Sequence, residues 1–201
     1  IDLIDSLSRF WENRGQILMA GDALNDIATI IDDKPSHFIA GDKYHLAFQN
    51  QEAHKKESLE KAIQAYEKVL EENPEDLDAM TSLGVCYVEG AQLLGEPPMK
   101  GVGMLKKVLE LDPENISALI NLGYFSVQSG QFEKALERFE QVLKINPDFP
   151  DAYLYLSDVN LQLGNNEEAA NYLEQYKRFV QDPAALEQLD QYIEKIRNNN
   201  I

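Results

Sequence analysis

The residues best suited to chemistry in this 201-residue sequence are three histidines, one cysteine and a large excess of acids. His37, His45 and His54 lie close together in the sequence, but none forms the His-x-x-x-His pair of a zinc site, and Cys86 is distant from them. No glycine-rich phosphate loop follows a strand-like segment. We therefore predict no catalytic residue, no metal and no cofactor. A metal-dependent hydrolase using clustered acids with His45 or His54 is the remote alternative.

The charge balance favours one class of partner over others. Lysine and arginine number 18 against 35 aspartates and glutamates, for a formal charge of -17 at pH 7. Such a field repels phosphates and anionic lipid headgroups, so nucleic acid is not an expected partner. A basic or partly apolar protein segment suits this charge. No apolar run reaches the roughly 18 residues that span a bilayer, so we expect no insertion of this chain into a membrane.

Recurring Leu-Gly and proline positions reveal the organisation of the chain. Leu83-Gly84, Leu122-Gly123 and Leu156-Ser157 are spaced by 39 and 34 residues, and three prolines repeat those spacings. Glycine costs a helix about 1 kcal/mol, so its recurrence predicts close helix crossings. His45 occupies the small-residue position of the second unit, which predicts looser packing there. The predicted arrangement is a single domain over 1–201, with units 1–34, 38–76, 77–115, 116–149 and 150–183 and a capping helix over 184–198.

These residues resemble the tetratricopeptide repeat family, whose unit is a pair of antiparallel helices. The match is strongest in 116–149, on Leu119, Leu122, Gly123, Gly130, Ala135, Phe139 and Pro147. The resemblance implies an all-α, right-handed superhelical solenoid of about five helix pairs that binds proteins and is not an enzyme. Residues 77–183, with their Leu-Asp-Pro-Glu-Asn motif before a Leu-Gly helix, are also similar in style to bacterial repeat domains tethered to a membrane or envelope complex.

The resemblance further implies that the first helix of each unit lines a concave groove. The middle of this groove is apolar and aromatic and its margins are acidic. We expect the other helix faces to fill the core, which leaves the groove residues for a partner. The function predicted is a scaffold or adaptor that binds an apolar, net-basic peptide or helix. The candidate contacts are Leu46, Val85, Val88, Ile120, Asn121, Tyr124, Val127, Gln128 and Leu154, with Asp42, Asp78 and Asp158 selecting positive charge.

Two alternatives and two insertions accompany this prediction. The first unit has no capping helix before it, so self-assembly through the solenoid ends, within a larger membrane-tethered complex, is the structural alternative. The chain begins at Ile1, inside a repeat, and we expect residues upstream; cytoplasm and periplasm both stay open as compartments. The insertions around 49–57 and 90–98 are interpreted as tolerated growth rather than as a binding edge with exposed Leu93 and Leu94.

Overall fold

The computed structural model describes residues 2–31 and 34–199, and within those ranges it contains twelve α-helices and no strand. The predicted all-α fold is confirmed. The chain divides into two compact units, residues 1–111 and 112–201. None of the described helices combines the length and the apolar character needed to cross a bilayer.

The first unit consists of three helix pairs, with a short helix inside the third. The helices from α1 to α5 each pack on the next one along the chain, and α5 packs directly on α7. A 3-10 turn over Glu52–His54 precedes α4. The helices are α1 (Asp2–Glu12), α2 (Ile17–Ile31), α3 (Lys34–Asn50), α4 (Lys55–Glu72), α5 (Leu77–Glu89), α6 (Ala91–Leu94) and α7 (Met99–Leu111).

The second unit consists of two helix pairs and a final helix. Its helices are α8 (Ile116–Gln128), α9 (Phe132–Ile145), α10 (Pro150–Gln162), α11 (Asn166–Tyr176) and α12 (Pro183–Arg197). Ile193 and Ile196 of α12 are buried in one cluster with Ala169, Ala170 and Leu173 of α11. The helix predicted over 184–198 therefore covers the last pair with its apolar side, as an end-capping helix must.

The helix starts are set by short polar side chains. Asp76 Oδ1 accepts a hydrogen bond from Ala79 N at 3.0 Å at the start of α5, and Asn115 Oδ1 accepts one from Ala118 N at 3.0 Å at the start of α8. Each bond satisfies a backbone donor that has no partner within the helix.

Glycines mark the close helix crossings. A Cβ atom on Gly123 would lie 2.5 Å from Phe139 Cε1, and one on Gly84 would lie 3.1 Å from Leu105 Cγ. These distances leave no room for a side chain on Gly123 and little on Gly84. The prediction of tight crossings at both glycines is confirmed.

The predicted loose packing at His45 is wrong, because a different residue occupies the crossing. A Cβ atom on Gly41, four residues earlier, would lie 2.6 Å from Tyr66 Cε1, and the Tyr66 side chain is completely buried. The helix α3 begins at Lys34. Its close contact with α4 lies at Gly41, one turn before His45, the position that the Leu-Gly spacing suggested. His45 instead forms a pair with Glu89 at 2.8 Å between Nε2 and Oε2.

The insertion that follows α3 connects to the first helix pair. The side-chain amide of Gln51 donates to the Gly15 carbonyl at 2.6 Å and accepts from Leu18 N at 3.2 Å. These two bonds hold the turn between α1 and α2. In the other insertion Leu93 is 41% exposed, whereas Leu94 packs against the core cluster of the unit.

Candidate functional site

One face of α3 carries an exposed row of side chains. Ile39 is 45% exposed, Leu46 is 41% exposed, and the exposed Asp42 lies between them. Their spacing of three and four residues places all three on one side of the helix. Asp78 at the start of α5 is also exposed. The predicted site residues Leu46, Asp42 and Asp78 thus lie at the surface of the first unit.

Three predicted contacts lie differently. Val85 is only 8% exposed and belongs to the core. A Cβ on Gly101 of α7 would lie 2.8 Å from Val88 Cγ2, so Val88 packs onto the second helix of its pair. Val127 packs in the same way against the buried cluster that contains Phe139. The expectation that these valines serve no packing within the unit is wrong, because their helix turn faces the second helix.

The second unit presents its own exposed row on α8 and α10. Tyr124 is 45% exposed and Leu154 is 36% exposed. Gln128 and Asp158 are exposed as well, whereas Ile120 and Asn121 are half-buried. The Asn121 side-chain amide donates to the Ser117 carbonyl at 2.8 Å, which commits it to its own helix.

Tyr155 of α10 lies near exposed residues of both α8 and α10. Its ring stacks on Phe139 at a centroid distance of 4.9 Å. Burial raises the pKa of the Tyr155 hydroxyl, and the nearby Asp151 and Tyr124 add to that rise. Tyr124 of α8 thus lies near Tyr155 of α10, and Leu154, Asp151 and Asp158 are exposed on α10.

Two ion pairs connect the first helices of successive pairs in the first unit. Lys43 Nζ of α3 lies 2.6 Å from Glu12 Oε1 of α1, and the contact between His45 and Glu89 joins α3 to α5. The Lys43 and Ser8 hydrogen bonds lower the pKa of Glu12. Lys43 and His45, the basic residues that follow Asp42 in the sequence, therefore both have acidic partners on other helices.

The Asp42 carboxylate occupies an unusual electrostatic position. It accepts a hydrogen bond from the Tyr66 hydroxyl at 2.8 Å. Burial by the surrounding protein raises the pKa of Asp42. The Tyr66 hydrogen bond and the charges of His45 and Lys43 oppose that rise, and the charge of Asp78 adds a smaller rise. Asp78 thus lies near enough to Asp42 to repel it weakly, in addition to the attraction from Lys43 and His45.

A pocket of about 380 Å³ lies beside these acids and was missed by sequence reasoning. It is lined by Pro35, Phe38, Ile39, Val69, Asp76 and Asp78. Residues 35–37 fall between the predicted units 1–34 and 38–76 and were expected to link them, whereas they belong to the first turns of α3. The apolar Pro-x-x-Phe-Ile pattern is the signal in the sequence that could have indicated an exposed apolar helix start.

Two further titratable residues, Cys86 and His54, have surroundings of a different kind. Cys86 is completely buried, and burial raises the pKa of its thiol. His54 is exposed, and its Nδ1 lies 3.5 Å from Glu57 Oε2. Within the described part of the chain, no group of three or more His, Cys, Asp and Glu side chains could hold a metal ion.

Comparisons with known proteins agree with the helix pairs. Tetratricopeptide repeat models match residues 52–92, 104–137 and 126–191. PilW, a widely conserved type IV pilus biogenesis factor, is 19% identical with a TM-score of 0.70 over 98% of this chain and 86% of that chain. The Pseudomonas aeruginosa protein PilF is 18% identical with a TM-score of 0.67 over 98% and 84%.

A third similar structure is MamA from Desulfovibrio magneticus RS-1, which is 18% identical with a TM-score of 0.63 over 88% of this chain and 93% of that chain. At this identity these structures establish the fold. No curated protein sequence matches this chain. Together the three repeat models cover more than half of the sequence, and the chain belongs to the tetratricopeptide repeat family.

Proposed function

We propose that this protein is a scaffold whose exposed first-helix faces bind an apolar, net-basic peptide or helix of a partner protein. The observation that carries the proposal is the exposure of Leu46 and Leu154 on helices that also carry exposed acids, together with the exposed Tyr124 on α8. The family supports the coarser part of this statement, since tetratricopeptide repeats are typically protein-interaction scaffolds without enzymatic activity.

The energetics favour a partner at these positions. An exposed Tyr or Leu side chain gains about 1–3 kcal/mol when a partner covers it, at roughly 25 cal/mol per Å² of apolar area. Tyrosine is also enriched among the residues that dominate binding energy. Asp42 and Asp158 would contribute mainly by attracting and orienting a basic segment, because surface charges affect association rate and specificity more than affinity.

A photo-crosslinking experiment tests the proposal. p-Benzoylphenylalanine is placed at Tyr124 in one sample and at Leu46 in another, and the full chain is irradiated in an extract of its own cells. Tyr192 on α12 is the matched control position, because it is 43% exposed, much like Tyr124. We expect adducts at 124 and 46, but not at 192, with an apolar and net-basic segment of one protein.

Two results would contradict the proposal. Equal adducts at all three positions would mean that the photoreactive group captures neighbours without specificity. Adducts whose crosslinked segments are acidic would contradict the predicted charge of the partner. A competing synthetic copy of the crosslinked segment must also abolish the adduct at 124.

A specific observation favours self-assembly as a second candidate. Ile30 is 81% exposed and Met19 is 40% exposed, and their spacing places both on one side of α2. A second copy could cover this side. Sedimentation equilibrium over a wide concentration range tests this: we expect a dimer whose dissociation constant rises in Ile30→Ser, and a monomer at every concentration rejects it.

A further inference from the structure

The pocket in the first unit combines an apolar floor with an acidic rim. Phe38 and Ile39 of α3 and Val69 of α4 form apolar parts of its lining, and Asp78 of α5 is exposed at its edge. Its volume of about 380 Å³ lies within the range of roughly 300–1,000 Å³ that is typical of small-ligand pockets. It is therefore large enough to accept a side chain of a bound peptide.

The two basic side chains whose charges act on Asp42 already have other acidic partners. Lys43, which follows Asp42 in the sequence, is paired with Glu12, and His45 is paired with Glu89. Among the side chains that the structure describes, no cation forms an ion pair with Asp42 or Asp78. Asp76 differs, because its carboxylate caps α5. The negative charges of Asp42 and Asp78 are thus available to a partner.

We propose that this pocket binds an arginine side chain of the partner segment. The aliphatic stem of the arginine packs against Phe38, Ile39 and Val69, and its guanidinium group donates to Asp78 and neutralises the repulsion with Asp42. Arginine fits because its stem is apolar while its planar head forms paired hydrogen bonds with carboxylates. This inference rests on the proposed function and specifies a residue that the partner must carry.

A pair of blocked peptides tests the inference directly. The probes are acetyl-Leu-Arg-Leu-amide and the same peptide with citrulline, a neutral residue of nearly the same shape, in place of arginine. Each is titrated to millimolar concentration into the full chain while amide chemical shifts are followed. We expect arginine-dependent shifts at Phe38, Ile39 and Asp78, and binding of the citrulline peptide at least about tenfold weaker, the value of one charge-assisted hydrogen bond.

A matched pair of variants isolates the carboxylate. Asp78→Asn removes the charge of that carboxylate at the pocket, and Glu133→Gln removes an exposed charge from the first turn of α9, away from the proposed binding faces. Both changes remove the same favourable interaction with a helix N-terminus. We expect Asp78→Asn to abolish the preference for arginine over citrulline and Glu133→Gln to leave it unchanged.

The outcomes separate this inference from the proposed function. Equal binding of both peptides, shifts confined to other surfaces, or an absence of arginine-dependent shifts overturns the pocket assignment, while adducts at 124 and 46 would still support the scaffold. If lysine in place of arginine binds equally well, the specific choice of arginine is wrong. A preference that persists in Asp78→Asn overturns the role of that carboxylate.

Discussion

The helix pair α3–α4 of the first unit and the pair α8–α9 of the second unit close in different ways. In the second unit, Phe139 lies against Gly123 and its ring makes only apolar contacts and a ring stack. In the first unit, Tyr44 lies against Gly21 and Tyr66 against Gly41. Each tyrosine hydroxyl then donates to the aspartate that follows its glycine, Asp22 at 2.9 Å and Asp42 at 2.8 Å.

This difference shows how packing and surface charge are linked. A buried tyrosine requires a hydrogen-bond partner for its hydroxyl, and the repeated Ala-Gly-Asp sequence at 20–22 and 40–42 supplies both the space and the acceptor. The acceptor must lie where the ring ends, at the edge of the helix pair. The first unit therefore carries an aspartate next to its pocket as a consequence of how its helices pack.

The largest expected effect distinguishes the crossing glycine from the aligned histidine. Gly41→Ala should destabilise the protein by about 1–3 kcal/mol, because the new methyl group overlaps the buried Tyr66 ring. His45→Ala should cost less than about 1 kcal/mol, since it removes a partly exposed ion pair. Urea unfolding measures both changes.

Gly103 in α7 provides the control for this comparison. A Cβ atom there would meet nothing within 4 Å. Gly103→Ala should therefore stabilise the protein by about 0.5–1 kcal/mol through helix propensity. A Gly41→Ala protein that is as stable as Gly103→Ala would show that the crossing is not where the structure places it.

The next effect concerns the insertion that connects to the first pair. Gln51→Ala should cost about 1 kcal/mol, because it removes a donor to Gly15 and leaves the Leu18 amide without its side-chain acceptor. Hydrogen exchange should accelerate at the Leu18 amide and stay unchanged in α9. Unaltered exchange at Leu18 would restore the interpretation of this insertion as unconstrained loop growth.

The hydroxyl of Tyr66 should have a pH-dependent effect of similar size. The raised pKa of Asp42 means that the folded carboxyl holds its proton to a higher pH than the unfolded one, whose value is near 3.8. The stability from this group is complete below that pH and declines as the pH rises through the folded pKa. Tyr66→Phe removes a bond that favours the carboxylate, so the pKa of Asp42 should rise further.

The cost of Tyr66→Phe should accordingly be about 1 kcal/mol at neutral pH and smaller below the unfolded pKa of Asp42. Carbon-detected titration of the Asp42 side chain measures the pKa, and urea unfolding at two pH values measures the stability. A fall in the pKa of Asp42 in the variant would contradict the hydrogen bond.

The smallest effect is expected at Ser58. Its hydroxyl is buried near the start of α4, and no described group forms a hydrogen bond with it. Ser58→Ala should leave the free energy of unfolding within about 0.5 kcal/mol of the wild type or raise it. A loss of more than about 1 kcal/mol by urea unfolding would reveal a hydrogen bond that the structure does not contain.

Helix contacts could be predicted accurately where the same type of residue recurs at the same position of successive repeat units. The Gly123 and Phe139 contact and the capping face of α12 follow from the 34-residue period and from helical spacing. In the first unit, placing His45 at the small-residue position shifted the register by one turn, because both aromatic and aliphatic residues occupy the large core position before it. The glycine, which has no alternative occupant at a tight crossing, is the better marker.

The surface was harder to predict than the fold. An apolar residue on a first helix can face a partner or the second helix of its own pair, and Val88 and Val127 show the second outcome. The pocket depends on three elements that meet only in the folded chain, the starts of α3 and α5 and Val69 of α4. No periodicity in the sequence encodes such a meeting.

Tyr124→Ala tests the central claim most directly, because the account places this side chain at the surface for a partner. Its free energy of unfolding should change by less than about 1 kcal/mol, as for an exposed residue. Its affinity for the segment identified by crosslinking should fall at least about tenfold, as expected of a dominant contact. Unfolding of the variant, or unchanged affinity with intact stability, would contradict the account.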